Sequence, residues 1–379
     1  MKFLYLFLLA SLIFIVGCTE KKTIKFTHVD YDLDTLSLAH PSDINFLNLY
    51  STTSYDKDDR VFYGYNTSIN AIDAYPLDKN KDPFQINLEK DGPNQIEDMI
   101  SGIKYYQGNF LFIGLNYITK IDSNGKVIEK TPINNEGTML QTQPIYDTED
   151  NVIEIINENK FIFKTVNYKH SRNQQAKDYF KHYSHLVSYN PNKNKFKDLK
   201  IHYPDSYSEN FYGFNHRFTM VYNSKYKKLF YCFEGTPSLF SLDLSSRKLK
   251  KKNYPLNTKE ISNYQIETKS FKSNNNYNII DYITNSNFDG LASTENYIIL
   301  MHHSSQHIDE IDKNLNTKNK VRELIVFDIE NEVFLDKIVI DGKILSNSHF
   351  SIEDDIYLQH LSSDKEEDKL EFLKISINQ

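Results

Sequence analysis

Leu324-Ile325-Val326-Phe327-Asp328-Ile329-Glu330-Asn331 is an apolar, β-branched and aromatic run that breaks at an aspartate and enters a polar turn. The same beat recurs at Ile118-Thr119-Lys120-Ile121-Asp122-Ser123-Asn124-Gly125-Lys126-Val127-Ile128, at Leu186-Val187-Ser188-Tyr189-Asn190-Pro191-Asn192-Lys193 and at Leu239-Phe240-Ser241-Leu242-Asp243-Leu244-Ser245-Ser246-Arg247. A weaker copy is Ile72-Asp73-Ala74-Tyr75-Pro76-Leu77-Asp78-Lys79, and Phe372-Leu373-Lys374-Ile375-Ser376 stands at the chain end. Such runs, bounded by Asn, Asp, Ser and Lys, read as strands and hairpin turns, and sustained helical periodicity is scarce. The fold class is all-β. Anchored on Tyr75, Ile121, Tyr189, Leu242, Phe327 and Ile375, the copies are 46, 68, 53, 85 and 48 residues apart. The short intervals match a four-stranded propeller blade of about 40–50 residues. The long ones need insertions, for which Asn167–His182, Asn257–Asn278 and Ser304–Lys320 are polar candidates.

Six anchors predict a six-bladed β-propeller, with seven blades or a β-sandwich as alternatives. No partner strand follows the last copy. The partly alternating segment Ile24–Leu38 is therefore expected to supply the outer strand of the last blade. That pairing closes the ring and removes an open sheet edge. Residues 24–379 then form a single domain.

Composition narrows the function. The chain has 379 residues, with 44 Lys+Arg against 51 Asp+Glu and a formal charge of −7. That excludes a globally basic nucleic-acid binder acting by counterion release. Hydrophobic residues make up only 39%, but 27 tyrosines and 25 phenylalanines can still build a core.

At the N-terminus, Met1-Lys2 precedes an apolar run from Phe3 to Val16, and then Gly17-Cys18. Fourteen apolar residues are too few to span a bilayer, which needs about 20, but suit a secretory signal. A small residue directly before cysteine resembles a bacterial lipobox. The resemblance implies a signal peptide over residues 1–17, acylation of Cys18 and a tether over residues 18–23. Thr19, in place of Asp, implies an outer-membrane address. Only Cys232 then remains, in an apolar strand-like run that reads as a buried thiol.

Beyond the lipobox, Tyr63-Gly64-Tyr65-Asn66, Asn70-Ala71-Ile72-Asp73, Leu88-Glu89-Lys90-Asp91-Gly92-Pro93-Asn94 and the Ile118–Val127 hairpin carry a wider likeness. Together they resemble six-bladed β-propeller lipoproteins of Bacteroidetes, built on a domain of unknown function related to TolB-like and NHL-like propellers. That family shows a Glu-Gly-Pro-Asn-Gly run after its first blade; here Asp91 replaces the Glu and Gln95 the second Gly. The resemblance implies a fold and an envelope location and transfers no chemistry.

The site candidates are scattered. Gly92-Pro93 suits a sharp crossing between blades, where a ligand-binding turn is also possible. Tyr212, His216 and Arg217 place an aromatic ring beside a cationic pair able to receive a carboxylate or sugar. His302, His303 and His307 are where a divalent metal would bind, although adjacent strand residues face opposite ways, and the bland alternative is a solvated hairpin loop. The acidic pairs Asp58-Asp59 and Asp354-Asp355 read as turn residues. Asp122-Ser123-Asn124-Gly125 lacks the later ligands of a calcium loop and reads as a turn. No catalytic residue and no cofactor beyond the lipid is assigned.

The expected function is an envelope-anchored, monomeric binding module for a glycan, a peptide or an envelope protein, working through one propeller face. The alternative is a carbohydrate-active hydrolase or lyase with its site at the propeller axis. Convergent acids or histidines at the axis would favour the enzyme; apolar and neutral residues there would favour binding.

Overall fold

The computed structural model describes residues 27–40, 50, 52–96, 100–114, 116–133, 152–164, 184–205, 207, 218–254, 287–303, 322–340, 348–360 and 369–378. These form six four-stranded antiparallel sheets. From inner to outer strand, blade 1 is β2 (Thr53–Asp56), β3 (Val61–Asn66), β4 (Ala71–Pro76) and β5 (Phe84–Asn87). Blade 2 is β6 (Ile100–Tyr106), β7 (Asn109–Gly114), β8 (Tyr117–Asp122) and β9 (Val127–Pro132). Blade 3 is β10 (Ile153–Asn157), β11 (Lys160–Lys164), β12 (Leu186–Asn190) and β13 (Lys195–Asp198). Blade 4 is β14 (Phe218–Asn223), β15 (Lys228–Phe233), β16 (Ser238–Asp243) and β17 (Leu249–Asn253). Blade 5 is β18 (Asn287–Ser293), β19 (Tyr297–His303), β20 (Arg322–Asp328) and β21 (Val333–Ile340). Blade 6 is β22 (His349–Ile352), β23 (Asp355–His360), β24 (Lys369–Asn378) and, from the other end of the chain, β1 (Asp30–Ala39).

All six sequence anchors fall in the third strand of a blade. Each faces an apolar residue of the second strand: Phe62↔Tyr75, Phe110↔Ile121, Phe161↔Tyr189, Leu229↔Leu242, Ile298↔Phe327 and Ile356↔Ile375. The third strand is covered by strands on both edges and by blades on both faces, so its residues must be apolar. Outer strands are the more exposed ones, and two are lysine-rich, with Lys250-Lys251-Lys252 in β17 and Lys195 and Lys197 in β13. Charges on an edge strand discourage pairing with other chains.

The ring closes as the alternation predicts. β1 pairs with β24 from Asp30↔Asn378 to Ala39↔Lys369. The inner strands touch in cyclic order, β2, β6, β10, β14, β18, β22 and back to β2. One apolar cluster fills each of the six junctions between successive blades. A sandwich would instead have one core between two sheets, and a seventh blade has no sheet among the described residues. The three proposed insertions lie outside the described residues. Cys232 is fully buried, as its surroundings predict.

The family-like motif of residues 63–73 alternates: Tyr63, Tyr65 and Ile72 pack between blades 1 and 2, and Gly64, Asn66 and Asp73 meet Tyr50 at the junction of blades 6 and 1. Tyr50, which precedes β2, lies so close over β3 that a Cβ on Gly64 would sit 2.3 Å from its ring. Its hydroxyl donates to Asp73 Oδ2 at 2.6 Å and meets the Tyr75 hydroxyl at 3.0 Å. Asn66 Nδ2 and Gln85 Nε2 donate to the same carboxylate at 2.9 and 2.5 Å. A buried charge is costly unless hydrogen-bonded, and three donors from around the strand satisfy this one.

Candidate functional site

The hairpins joining first to second strands gather at one end of the ring, around its axis. There they enclose a cavity of about 760 Å3, within the size range of small-ligand sites. Blade 1 contributes Tyr55, Lys57 and Arg60; blade 4 Tyr222, Asn223, Ser224 and Lys225; blade 5 Ser293, Thr294 and Glu295; blade 6 Ser351, Ile352, Glu353, Asp355, Tyr357 and Lys374. Inner strands end here because hairpin turns follow them at once. Arg60 closes the first turn with φ 53°, and its carbonyl accepts the Leu77 N–H at 2.9 Å.

The walls are locked blade to blade. Asn223 Nδ2 reaches Ser293 Oγ at 2.9 Å and the Thr294 carbonyl at 2.8 Å. Asp354 accepts from Thr294 Oγ1 at 3.0 Å, Asn296 N at 2.9 Å and Asn296 Nδ2 at 2.6 Å. Across the closing junction Tyr55, Phe350 and Tyr357 stack in a column with successive centroids 4.6 Å apart. Fixed walls lower the ordering cost of binding.

Charges on the walls are partly paired. Lys374 Nζ sits 2.8 Å from Asp355, whose hydrogen bond raises the lysine pKa. Lys225 Nζ donates to Asn296 Oδ1 at 2.6 Å. Burial raises the Tyr55 phenol pKa, and the positive charge of Arg60 pulls the other way. Burial likewise raises Tyr357, against the pull of Lys374.

Behind Tyr222 lies a buried carboxyl. Glu154 of β10 is 6% exposed, its Oε2 is 3.6 Å from Lys104 Nζ of β6, and its Oε1 has no hydrogen-bond partner among the described residues. Burial pushes its pKa up; Lys104, the Tyr222 main-chain N–H and His349 of β22 relieve part of that penalty. Inner strands of four blades thus converge on one acid, so the axis is not the apolar and neutral lining expected of a pure binding ring. Two-carboxylate glycoside hydrolysis would need a second acid facing Glu154. The groups acting on it are instead a lysine, an N–H and a histidine.

The sequence candidates lie elsewhere. Gly92 takes φ +85° in the crossing from β5 to β6, where the Gln95 N–H donates to its carbonyl at 3.2 Å; neither it nor Pro93 lines the cavity. His302 and His303 are buried in β19, not in a solvated loop. His302 Nδ1 is 2.9 Å from Glu323 Oε2, and Lys337 Nζ donates to Oε1 at 2.5 Å. Burial penalises the Glu323 charge, yet the hydrogen bonds from His302 and Lys337 overcome it and hold its pKa low. His303 follows on the opposite face of the strand, and among the described residues no cluster of three or more potential metal ligands occurs. Cys18, Tyr212, His216, Arg217 and His307 lie outside the described residues. Asp58-Asp59 occupies the first hairpin turn, and Asp122 Oδ1 accepts the N–H groups of Asn124 and Lys126 in its own turn, both at 2.9 Å. Asp354 does more than turn the chain, since it latches blade 6 to blade 5. The cavity residues carried a faint signal: Tyr55 and Tyr222 each stand 20 residues before an anchor, Tyr75 and Leu242.

Comparison with known proteins agrees with this architecture. A Bacteroides vulgatus protein of known crystal structure superposes with a TM-score of 0.73 at 16% identity, over 93% of this chain and 99% of the other. A Bacteroides fragilis protein named as an exported one gives 0.56 at 10% identity, over 93% and 98%. No curated protein matches the sequence. The Bacteroides vulgatus protein is a member of the DUF4221 family. The profile of that family, a domain of unknown function, matches residues 23–293 here, well over half of the sequence, and the chain belongs to the DUF4221 family.

Proposed function

We propose that this chain is an envelope-anchored lipoprotein that binds a soluble polar ligand in the cavity at the axial mouth. The observation that carries the reading is the cavity itself: hairpins of four blades, cross-linked by Asn223, Asp354 and the Tyr55–Phe350–Tyr357 column, hold hydroxyls, both signs of charge and aromatic rings around one space. Small-ligand sites are concave, pre-formed and mostly apolar; this one is polar apart from its tyrosines and Ile352, which directs it to a polar ligand. The anchor rests on the order of Lys2, the apolar run and Gly17-Cys18, and export of the Bacteroides fragilis relative supports an envelope location.

Two experiments test this. Thermal-shift screening of the full-length chain in detergent, against saccharides and short peptides, should find ligands that raise Tm in the wild type and not in Tyr222→Ala. Ligands that act equally on both proteins would remove the cavity from the account. Mass spectrometry of each hit after incubation decides the chemistry: shortened products would replace the binding module with a hydrolase or lyase using Glu154, Lys104 or His349. For the anchor, Cys18→Ala should abolish metabolic labelling with palmitate and release the protein from the membrane fraction.

A further inference from the structure

Resting on the cavity as a ligand site, we propose that its ligand is a saccharide bearing a carboxylate, held at the wall where blade 1 meets blade 6. The cavity is cationic within an acidic protein. Its lining carries Lys57, Arg60, Lys225 and Lys374 against Glu295, Glu353 and Asp355, while the chain as a whole stands at −7. Lys225 of blade 4 stands on the acidic side, bonded to Asn296 beside Glu295, whereas Lys57 and Arg60 come from blade 1. Lys374 is paired with Asp355 at 2.8 Å, so the remaining acids, Glu295 and Glu353, belong to the hairpins of blades 5 and 6. Blade 1 brings only cations to the lining, Lys57 and Arg60, and it brings them beside the aromatic column. Arg60 lines the cavity together with Tyr55 and Tyr357, and its charge acts on both phenols.

Each part fits one feature of an acidic sugar. A guanidinium offers a two-pronged contact to a carboxylate, with Lys57 as a second charge. Tyrosine presents apolar surface with a polar tip, which suits a sugar ring next to that carboxylate. Ser224 and Ser351 can both donate and accept, while Glu295 and Glu353 accept from sugar hydroxyls across the cavity. A peptide would instead take main-chain hydrogen bonds from an open strand edge. This lining is made of side chains from the hairpin turns and from the strand ends beside them, joined by Tyr357 and Lys374.

The test uses the full-length chain in detergent and isothermal titration with trisaccharides of galacturonic, glucuronic and mannuronic acid, each beside its methyl ester. The ester keeps ring, hydroxyls and size and loses the charge. At least one acid should bind about tenfold or more tighter than its ester. Arg60→Gln should erase that preference while the variant keeps the wild-type urea midpoint, and Tyr55→Ala should weaken acid and ester alike. Equal affinity for acid and ester, or a preference that survives Arg60→Gln, overturns the acidic-sugar assignment and leaves the cavity as a ligand site. Binding of peptides with no binding of any uronate also overturns it. Uronate binding untouched by Tyr55→Ala, Tyr222→Ala and Arg60→Gln overturns the cavity as well.

Discussion

The junction of blades 6 and 1 and the junction of blades 5 and 6 share a blade but not a chemistry. Between blades 5 and 6 the core is aliphatic, with Ile299, Leu324, Val326, Ile338, Ile356, Leu358 and Ile375. Between blades 6 and 1 it is aromatic, with Tyr50, Phe62, Tyr75, Phe350, Tyr357 and Phe372, and it adjoins the buried Asp73 network. Rings and hydrogen bonds have preferred geometries that aliphatic packing lacks. The difference falls where the chain must find its own beginning: blade 6 is complete only when β1, from the N-terminus, pairs with β24. A junction that closes a long loop gains from specificity as well as from buried area.

Substitutions can break or sharpen that contrast, and urea denaturation measures each. Phe62, fully buried, has ring neighbours in Phe372 at 4.9 Å and Phe350 at 5.6 Å; Phe62→Ala should cost about 4 kcal/mol and loosen the closure first. Gly64→Ala pushes a methyl into the Tyr50 ring and should cost about 3 kcal/mol, although it adds a single carbon. Tyr50→Phe keeps the ring and takes one donor from Asp73, for about 2 kcal/mol. In the aliphatic junction Ile299→Val should cost only about 1 kcal/mol. If Ile299→Val proved as damaging as Tyr50→Phe, the contrast between the two junctions would collapse.

The smallest effect lies on the axis, outside both junctions. Burial raises the Glu154 pKa, so the folded protein holds a proton that the unfolded chain releases first. Between the ordinary carboxylate value and the raised one, stability falls as pH rises. Glu154→Gln should flatten that slope in urea midpoints taken from about pH 5 to pH 8. A slope unchanged by the substitution would assign the pH dependence to another group.

Much of the fold was legible because the third strand of each blade is sheathed on every side. Tyr75, Ile121, Tyr189, Leu242, Phe327 and Ile375 had to be apolar, and the turns after them had to be polar, so the beat survives in the sequence. The closing strand was legible from an unpaired last copy. The cavity was not, because each blade gives it only a few residues, and beyond the shared spacing of Tyr55 and Tyr222 to their anchors, Arg60 and Glu353 follow no local pattern. His302 misled for a related reason. A histidine cluster in sequence looks solvated until the fold sets Glu323 beside it.

The register Asp30↔Asn378 has an outward consequence. Asp355 faces Ser376, and Asp32 pairs with the same Ser376, so β1 starts at the cavity's end of blade 6. Cys18, whose acylation is part of the function proposed above, lies twelve residues upstream in sequence, a stretch that spans at most about 40 Å. An anchor at that cysteine, as proposed, would hold the ring by the end that carries the cavity.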